Sequence, residues 1–227
     1  MTLPWRRLAS GFDDVALWWV DLLTPAPAGA HAWLSPDERE RAARFRAEPL
    51  RQRWERSHVA LRGVLGAQLG AGPHTLCFET GATGKPRLAG GGSPEFSLSH
   101  SGDVALIAVC AGAEVGVDVE LLHPVRDAAV LVARVCSPRE QAEWHARAET
   151  ADAAADFLRG WTRKEACLKA IGTGLDISPA RVDVGFDAGG RRIRIPREAG
   201  PVEVELRSIA PAGAWLAALA RCVAAAT

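Results

Sequence analysis

A helix-start motif that occurs twice constrains the fold of this chain more than any other feature. Ser35-Pro36-Asp37-Glu38 and Ser137-Pro138-Arg139-Glu140 stand about a hundred residues apart. In each motif the serine can cap a helix, the proline suits the first helical position, and the glutamate completes a capping box. A strand pattern precedes each motif, over residues 15–22 and 115–121. The recurrence predicts an internal duplication of one α+β unit.

The elements around these motifs also repeat in order. Helical patterns cover residues 36–45 and 51–69, and Trp161-Thr162-Arg163 with Leu168-Lys169 resembles Trp54-Glu55-Arg56 with Leu61-Arg62. We predict an α+β fold of two pseudo-symmetric halves, residues 1–112 and 113–227, with the active site at their interface. Apolar runs predict strands over residues 76–79, 96–101, 104–109, 115–120, 182–186, 193–195, 202–206 and 214–220, with a hairpin joining 104–109 to 115–120.

The composition limits what the chain can bind. Basic and acidic residues number 27 each, so the formal net charge is zero, whereas a general nucleic-acid binder would carry a basic excess. The first residues lack the apolar segment of a signal peptide, and no apolar run is long enough to span a bilayer. The five cysteines are scattered without a C-x-x-C pair, which indicates reduced thiols. We expect a cytoplasmic monomer that binds neither nucleic acid nor membrane.

The strand predicted at residues 115–120 carries two carboxylates on one face. Its valines alternate with Gly116, Asp118 and Glu120, a pattern typical of a strand with one buried face. Same-face neighbours on a strand lie roughly 7 Å apart, so Asp118 and Glu120 can both reach one cation. A polar strand face that happens to be acidic is the simpler interpretation of this pattern alone.

A helix predicted over residues 157–171 supplies a third carboxylate. Glu165 falls at the edge of its apolar stripe, and Lys169 lies one turn further on. A surface Glu–Lys pair would have the same spacing. Together, Asp118, Glu120 and Glu165 would form an oxygen-only site, which suits a hard cation such as Mg²⁺ that also binds a substrate phosphate. The lack of nearby His or Cys ligands argues against zinc.

Several basic groups could face an anion. His100 has the same parity as the apolar residues of the strand at 96–101, so a core histidine and a phosphate-facing imidazole are both open interpretations. Lys85 stands in the turn Gly84-Lys85-Pro86, where a solvated lysine is the common case. The arginines of the first two helices mostly cover helix faces, although one or two could converge on an anion; they are Arg41, Arg44, Arg53 and Arg56.

Four motifs taken in order resemble those of the Sfp-type 4′-phosphopantetheinyl transferases. They are Gly84-Lys85-Pro86, the strand that ends in Ser99-His100-Ser101, the acidic strand at 115–120, and residues 161–169. Each motif is weak alone, but their order and spacing are specific, and the resemblance extends from about residue 16 to residue 220. Members of this family have two similar α+β halves. They move 4′-phosphopantetheine from coenzyme A to a serine of an acyl or peptidyl carrier protein and release adenosine 3′,5′-bisphosphate.

The resemblance implies a role for each matched residue. Mg²⁺ would be held on the pyrophosphate by Asp118, Glu120 and Glu165. Glu165 and Lys169 would act in catalysis, and either Glu165 or a metal-bound water would take the serine proton. Coenzyme A would be bound through its pyrophosphate, its 3′-phosphate and its adenine; the residues concerned are Lys169 for the first, Ser99, His100, Arg53 and Arg41 for the second, and Gly84, Lys85 and Pro86 for the third.

Two acidic positions and one loop also bear on the expected function. Glu38 stands where relatives often carry a basic residue for the 3′-phosphate, so that contact could be weaker here. Glu140 aligns with a further acidic position of the family, but its place in a capping box favours a structural role. The segment Gly172-Thr173-Gly174-Leu175 lies in the family's usual region for carrier recognition. The sequence leaves the biosynthetic pathway open.

Two other functions compete with the transferase hypothesis. One is a catalytically silent module that binds coenzyme A or a carrier protein. The other is an unrelated Mg²⁺-dependent nucleotide-binding enzyme. The full set of carboxylates together with Lys169 argues against the loss of catalysis.

Overall fold

The computed structural model describes residues 3–81, 84–91, 94–147, 153–173, 176–198, 200–210 and 213–223. These residues form five α-helices and ten strands. The helices are α1 Pro36–Ala43, α2 Glu48–Leu69, α3 Ala128–Val135, α4 Pro138–Arg147 and α5 Ala153–Ile171. The strands are β1 Trp5–Leu8, β2 Val15–Asp21, β3 Phe78–Thr80, β4 Pro86–Leu88, β5 Glu95–Ser101, β6 Val104–Cys110, β7 Val115–Leu121, β8 Arg191–Ile195, β9 Val202–Ile209 and β10 Trp215–Cys222.

Two four-stranded antiparallel sheets hold most of the strands. Their orders are β1-β2-β6-β5 and β7-β10-β9-β8, and β3 pairs with β4 in a separate ribbon. In the first sheet β2 precedes the capping-box helix and pairs with β6, which pairs with β5. In the second sheet β7 precedes the capping-box helix and pairs with β10, which pairs with β9. The predicted mixed α/β fold is confirmed. The shared order supports the predicted pseudo-symmetry, and the division between residues 112 and 113 stays a prediction.

The predicted hairpin between residues 104–109 and 115–120 is wrong. β6 is paired on both of its edges, with β2 and with β5, so it offers no edge to β7. β7 instead begins the second sheet and lies beside β5, where serine side chains bridge the seam. Ser97 Oγ accepts from the Val117 N–H at 3.1 Å, and Ser101 Oγ accepts from the Leu121 N–H at 3.2 Å. The two sheets therefore meet along β5 and β7.

Each sheet has its own long helix, and one core joins the two sheets. α2 packs on the first sheet around Leu61, Leu65 and Ile107, and α5 packs on the second around Leu168 and Val204. A further cluster contains residues of both sheets, among them Leu17, Leu106, Val117 and Leu219. Among the described residues, no helix is both long enough and apolar enough to cross a membrane.

The strand predicted over residues 182–186 is also wrong. Val182, Val184 and Phe186 are fully buried, which explains the alternating pattern. Their backbone groups, however, bond to side chains instead of to a strand: Arg163 donates to the Val184 carbonyl, and Lys164 donates to the Val182 carbonyl. β1 and α3 lie outside every predicted element.

Candidate active site

A glycine brings α5 into direct contact with β7. A Cβ atom at Gly116 would lie 2.1 Å from the Ala166 carbonyl oxygen and 2.3 Å from the Ala170 nitrogen. Only a residue without a side chain permits this approach. The neighbouring helix residues Glu165 and Lys169 are thereby brought beside Asp118, two residues further along the strand.

Asp118 and Ser99, both buried, form a polar cluster with the partly exposed Lys169 at the seam between the sheets. Lys169 Nζ lies 2.6 Å from Asp118 Oδ1 and 3.1 Å from Ser99 Oγ. Ser99 Oγ also donates to Asp118 Oδ1 at 2.7 Å. Asp118 is only 4% exposed, and its Oδ2 atom is buried without a hydrogen-bond partner among the described residues. A buried carboxylate oxygen of this kind is costly unless something binds it.

Serines on one face of β5 orient both carboxylates of β7. Ser97, Ser99 and Ser101 alternate along the strand and point across the seam. Ser101 Oγ donates to Glu120 Oε2 at 2.8 Å, as Ser99 does to Asp118. The Ser99 hydroxyl, which we predicted to contact a phosphate, therefore already forms hydrogen bonds with Asp118 and Lys169.

The neighbouring carboxylates affect the pKa values of Glu120 and Glu165. Burial raises the pKa of Glu120, and the nearby Asp118 raises it further. Burial likewise raises the pKa of Glu165, and both Asp118 and Glu120 add to that shift while Lys169 opposes it. A cation among these groups would relieve both the repulsion and the unpartnered Asp118 Oδ2, so the donor set fits a hard divalent ion. The described residues nevertheless contain no preassembled group of three His, Cys, Asp or Glu side chains at metal-binding distance.

A cavity of about 430 Å³ opens beside this cluster. Its walls come from the first-half helices, the turn before β4, strand β5 and helix α5. Arg53 lies apart from this lining and pairs with Asp103, with 2.7 Å between Arg53 Nε and Asp103 Oδ1. Glu120 lines a second, more apolar cavity of about 670 Å³ together with Trp161 and Leu131. The predicted site residues in the first cavity are Arg41, Gly84, Lys85, Pro86, His100, Glu165 and Lys169.

His100 belongs to the cavity and not to the core. The residue is exposed at the end of β5, so the core-histidine interpretation is wrong. Partial desolvation of the ring and the positive charge of Lys169 lower its pKa. An imidazole in this position can donate to a phosphate that enters the cavity.

Lys85 connects the two halves of the cavity wall. Its Nζ atom donates to the Ala170 carbonyl at 3.0 Å, so the turn before β4 is tied to the C-terminal end of α5. Burial lowers the pKa of this lysine. The contact places a cation at the negative end of the helix dipole, where it is stabilising.

Sequence reasoning missed two residues of the cavity, Trp54 and His58. Neither was among the predicted site residues, yet their rings stack at 3.7 Å on the cavity side of α2. His58 Nδ1 lies 2.9 Å from the Trp54 carbonyl, so Nδ1 carries the proton and Nε2 is the acceptor. Burial lowers the pKa of His58 to about 4, which keeps the ring neutral. Two large rings one helical turn apart in an arginine-rich helix are the signal that could have identified them.

Glu38 and Glu140 face away from the cavity, each toward a buried cation. Glu38 Oε2 accepts from the Ser35 N–H and from Arg62 Nε at 2.7 Å. Glu140 Oε2 accepts from the Ser137 N–H and from Lys164 Nζ at 2.6 Å. Glu38 therefore neither binds nor repels a phosphate in the cavity directly. The glutamate that replaces the basic residue of relatives at this position acts in packing. Within the predicted carrier-recognition segment, residues 174 and 175 lie outside the described residues.

Comparisons with known proteins identify the family of this chain. Residues 114–220 match the model of the 4′-phosphopantetheinyl transferase superfamily. The chain is 38% identical over 169 residues to the 4′-phosphopantetheinyl transferase HetI of Nostoc sp., covering 72% of this chain and 70% of HetI. It is 30% identical over 181 residues to psf-1 of Bacillus pumilus, covering 79% and 76%. It is 35% identical over 153 residues to AcpT of Escherichia coli K12, covering 67% and 70%. The chain belongs to the 4′-phosphopantetheinyl transferase superfamily.

Proposed function

We propose that this chain transfers the 4′-phosphopantetheine group of coenzyme A to a serine of an acyl or peptidyl carrier protein. The observation that carries the proposal is the cluster of Asp118, Lys169 and Ser99 beside a cavity whose walls are rich in basic groups. Coenzyme A carries a pyrophosphate and a 3′-phosphate, so a cavity of this charge suits it. We also propose that the protein acts as a monomer.

The basic groups divide naturally between the phosphates. Lys169 is next to the carboxylates and would contact the pyrophosphate. His100 and Arg41 line the cavity on the first-half side and would contact the 3′-phosphate, while Gly84, Lys85 and Pro86 would lie against the adenine. Because Arg53 is already paired with Asp103, the proposal for the 3′-phosphate rests mainly on His100 and Arg41.

Asp118, Glu120 and Glu165 would hold Mg²⁺. When bound, this ion would neutralise pyrophosphate charge and so make the phosphorus a better electrophile. The unpartnered Asp118 Oδ2 and the mutual repulsion of the carboxylates support this assignment.

The protein side chains would position the reactants and move one proton. The serine oxygen attacks the β-phosphorus, its proton passes to the Glu165 carboxylate, and the bond to the leaving adenosine 3′,5′-bisphosphate breaks. Glu165 lines the cavity together with Lys169, so its carboxylate lies where a proton from the attacking serine can be accepted. Lys169 would stabilise the negative charge that develops on the leaving phosphate.

Intact mass spectrometry tests this function directly. The protein is incubated with Mg²⁺, coenzyme A and a panel of apo carrier proteins from fatty-acid, polyketide and nonribosomal-peptide assembly. The proposal requires a phosphopantetheine mass increment on at least one carrier. Binding of coenzyme A in calorimetry without any increment across the panel would instead support the silent binding module.

One substitution tests the site itself. Asp118→Asn keeps the shape of the side chain but removes its charge, and we expect the transfer rate to fall about 1000-fold, or roughly 4 kcal/mol of transition-state stabilisation. Asp37→Asn, at an exposed position in the first turn of α1, is the matched control and should leave the rate unchanged. Full transfer by Asp118→Asn would refute the assignment of the metal site.

A further inference from the structure

We infer that Lys169 and the divalent cation compete for Asp118, so that the cation binds tightly only after a phosphate ligand has drawn the lysine away. The identity of that ligand as coenzyme A rests on the proposed function. The competition itself rests on the geometry of three side chains: Asp118, Lys169 and Ser99.

The lysine occupies the aspartate from inside the protein. Lys169 Nζ is 2.6 Å from Asp118 Oδ1, and Ser99 Oγ bonds to both groups. The Asp118 side chain is 5% exposed and does not line the cavity, whereas the Lys169 side chain is 32% exposed and does. Access to this carboxylate from the cavity therefore passes the ammonium group.

Charge opposes simultaneous binding of the two cations. The remaining acceptor of the aspartate is Oδ2, which belongs to the same carboxylate as the oxygen that Lys169 contacts. A divalent ion on Oδ2 would lie within a few ångströms of the ammonium, where the repulsion between like charges is strong in a partly buried site. Moving Lys169 away would remove this repulsion and free Oδ1 as well.

A phosphate in the cavity offers the lysine another partner. Lys169 lines the same cavity as Arg41 and His100, so an anion bound in that cavity would lie near the lysine as well. An anion that attracts Lys169 would raise the affinity of Asp118 for the cation. By linkage, the cation would raise the affinity for the anion by the same factor.

Electron paramagnetic resonance of free Mn²⁺ measures this competition without any transfer reaction. For the wild-type protein, we expect weak Mn²⁺ binding alone and at least 10-fold tighter binding with saturating coenzyme A. Lys169→Gln keeps an N–H donor for Asp118 but removes the charge. It should bind Mn²⁺ at least 10-fold more tightly than the wild type without coenzyme A, and coenzyme A should then improve the binding less.

Two further variants separate competition from other effects. Lys169→Arg retains the charge and should bind Mn²⁺ as weakly as the wild type. Lys85→Gln removes another cation of the same cavity, one that bonds to a carbonyl and not to a carboxylate, and without coenzyme A it should change Mn²⁺ affinity less than threefold. Unchanged or weaker Mn²⁺ binding by Lys169→Gln, or an equal gain in Lys85→Gln, would overturn the inference.

A thermal melt with and without Mn²⁺ covers the case in which Lys169→Gln is poorly folded at room temperature. The inference then requires a larger Mn²⁺-induced rise in Tm for this variant than for Lys169→Arg, and an equal rise in both would refute it. These readouts are independent of carrier modification. A protein that modifies no carrier could still show the competition, and an active transferase could lack it.

Discussion

The chain around each of the two sheets contains a buried glutamate–cation pair, but the carboxylates proposed to bind the metal lie only beside the second sheet. In the first half, Glu38 caps α1 and binds Arg62; in the second, Glu140 caps α4 and binds Lys164. In both pairs the cation follows the glutamate by 24 residues, and it also bonds to the carbonyls of the segment that follows its helix. The next residue differs. It is Gly63, packed under Trp5 and Trp33, in one half and Glu165 in the other.

The features that both parts share form a structural frame, which is distinct from the proposed site. The capped helix, its glutamate and the buried cation fix how each long helix lies on its sheet. The carboxylates proposed to bind the metal are an addition to this frame, and they lie where the second sheet meets the first. The frame also shows that Arg62 is equivalent to Lys164 in its contacts, whereas the sequence comparison had placed it opposite Lys169.

The largest expected effect follows from the glycine on which α5 rests. Gly116 and Ala16 are the second residues of β7 and β2, and only the first half tolerates a methyl group there. Gly116→Ala would place Cβ 2.1 Å from a backbone oxygen, so α5 must move away from β7. We expect no measurable transfer and a loss of about 3 kcal/mol or more in the free energy of unfolding, measured by urea denaturation.

A conservative change in the first half is the control for this prediction. Ala16→Gly removes a buried methyl group without forcing a helix to move, so the transfer activity should persist. If Gly116→Ala were active and stable, the close approach of helix and strand would not be what positions Glu165 and Lys169.

The second prediction compares the two buried ion pairs. Glu140 and Lys164 have fully buried side chains, and Glu140 accepts four hydrogen bonds in total. Glu140→Gln leaves Lys164 without its anion and should cost about 3–5 kcal/mol in the free energy of unfolding. Glu38 is 13% exposed in its side chain and accepts fewer bonds, so Glu38→Gln should cost less, about 1–3 kcal/mol.

Urea denaturation of both variants measures the comparison. Glu40→Gln, in an exposed pair with Arg44, is the matched control and should change stability little. Equal losses for Glu38→Gln and Glu140→Gln would mean that burial does not set the difference between the halves.

The sequence predicted most helices and strands, and it named residues that the structure brings together around one cavity, because both depend on local patterns. Capping boxes and alternating valines are properties of short segments, and the order of motifs indicated which segments meet. The errors occurred where distant contacts decide. The run at residues 182–186 alternates like a strand, but Arg163 and Lys164 take its carbonyls. The bridge from Ser99 to Asp118 spans 19 residues and the contact of Lys85 with Ala170 spans 85, and no local pattern indicates either.

The third prediction concerns His58, which has no counterpart in the second half. His58 lies four residues before Arg62, and the residue four before Lys164 is Gly160, where a Cβ would lie 2.7 Å from the Phe186 ring. Burial lowers the pKa of His58 from 6.5 to about 4, so the folded state excludes the charged ring. The unfolded state binds the extra proton below about pH 6.5. This contribution to stability is therefore complete above pH 6.5 and is lost as the pH falls toward 4, by about 2–3 kcal/mol.

Urea denaturation of the wild type and His58→Gln at several pH values between 7.5 and 4.5 isolates the contribution of His58 to the free energy of unfolding. The wild type should lose stability more steeply in this window, because other groups titrate alike in both proteins. Parallel curves would show that His58 is not the group responsible.

The last prediction contrasts His58 with His100, the other imidazole of the cavity. His100 is exposed and at the end of β5, so His100→Ala should leave the free energy of unfolding nearly unchanged. If it donates to the 3′-phosphate, its removal costs one hydrogen bond to a charged group, and KM for coenzyme A should rise about 10-fold with little change in kcat. The rise should disappear with 3′-dephospho-coenzyme A as donor, because that substrate lacks the group that His100 contacts. An equal rise with both donors would place His100 elsewhere on the ligand, and a loss of stability would return it to a structural role.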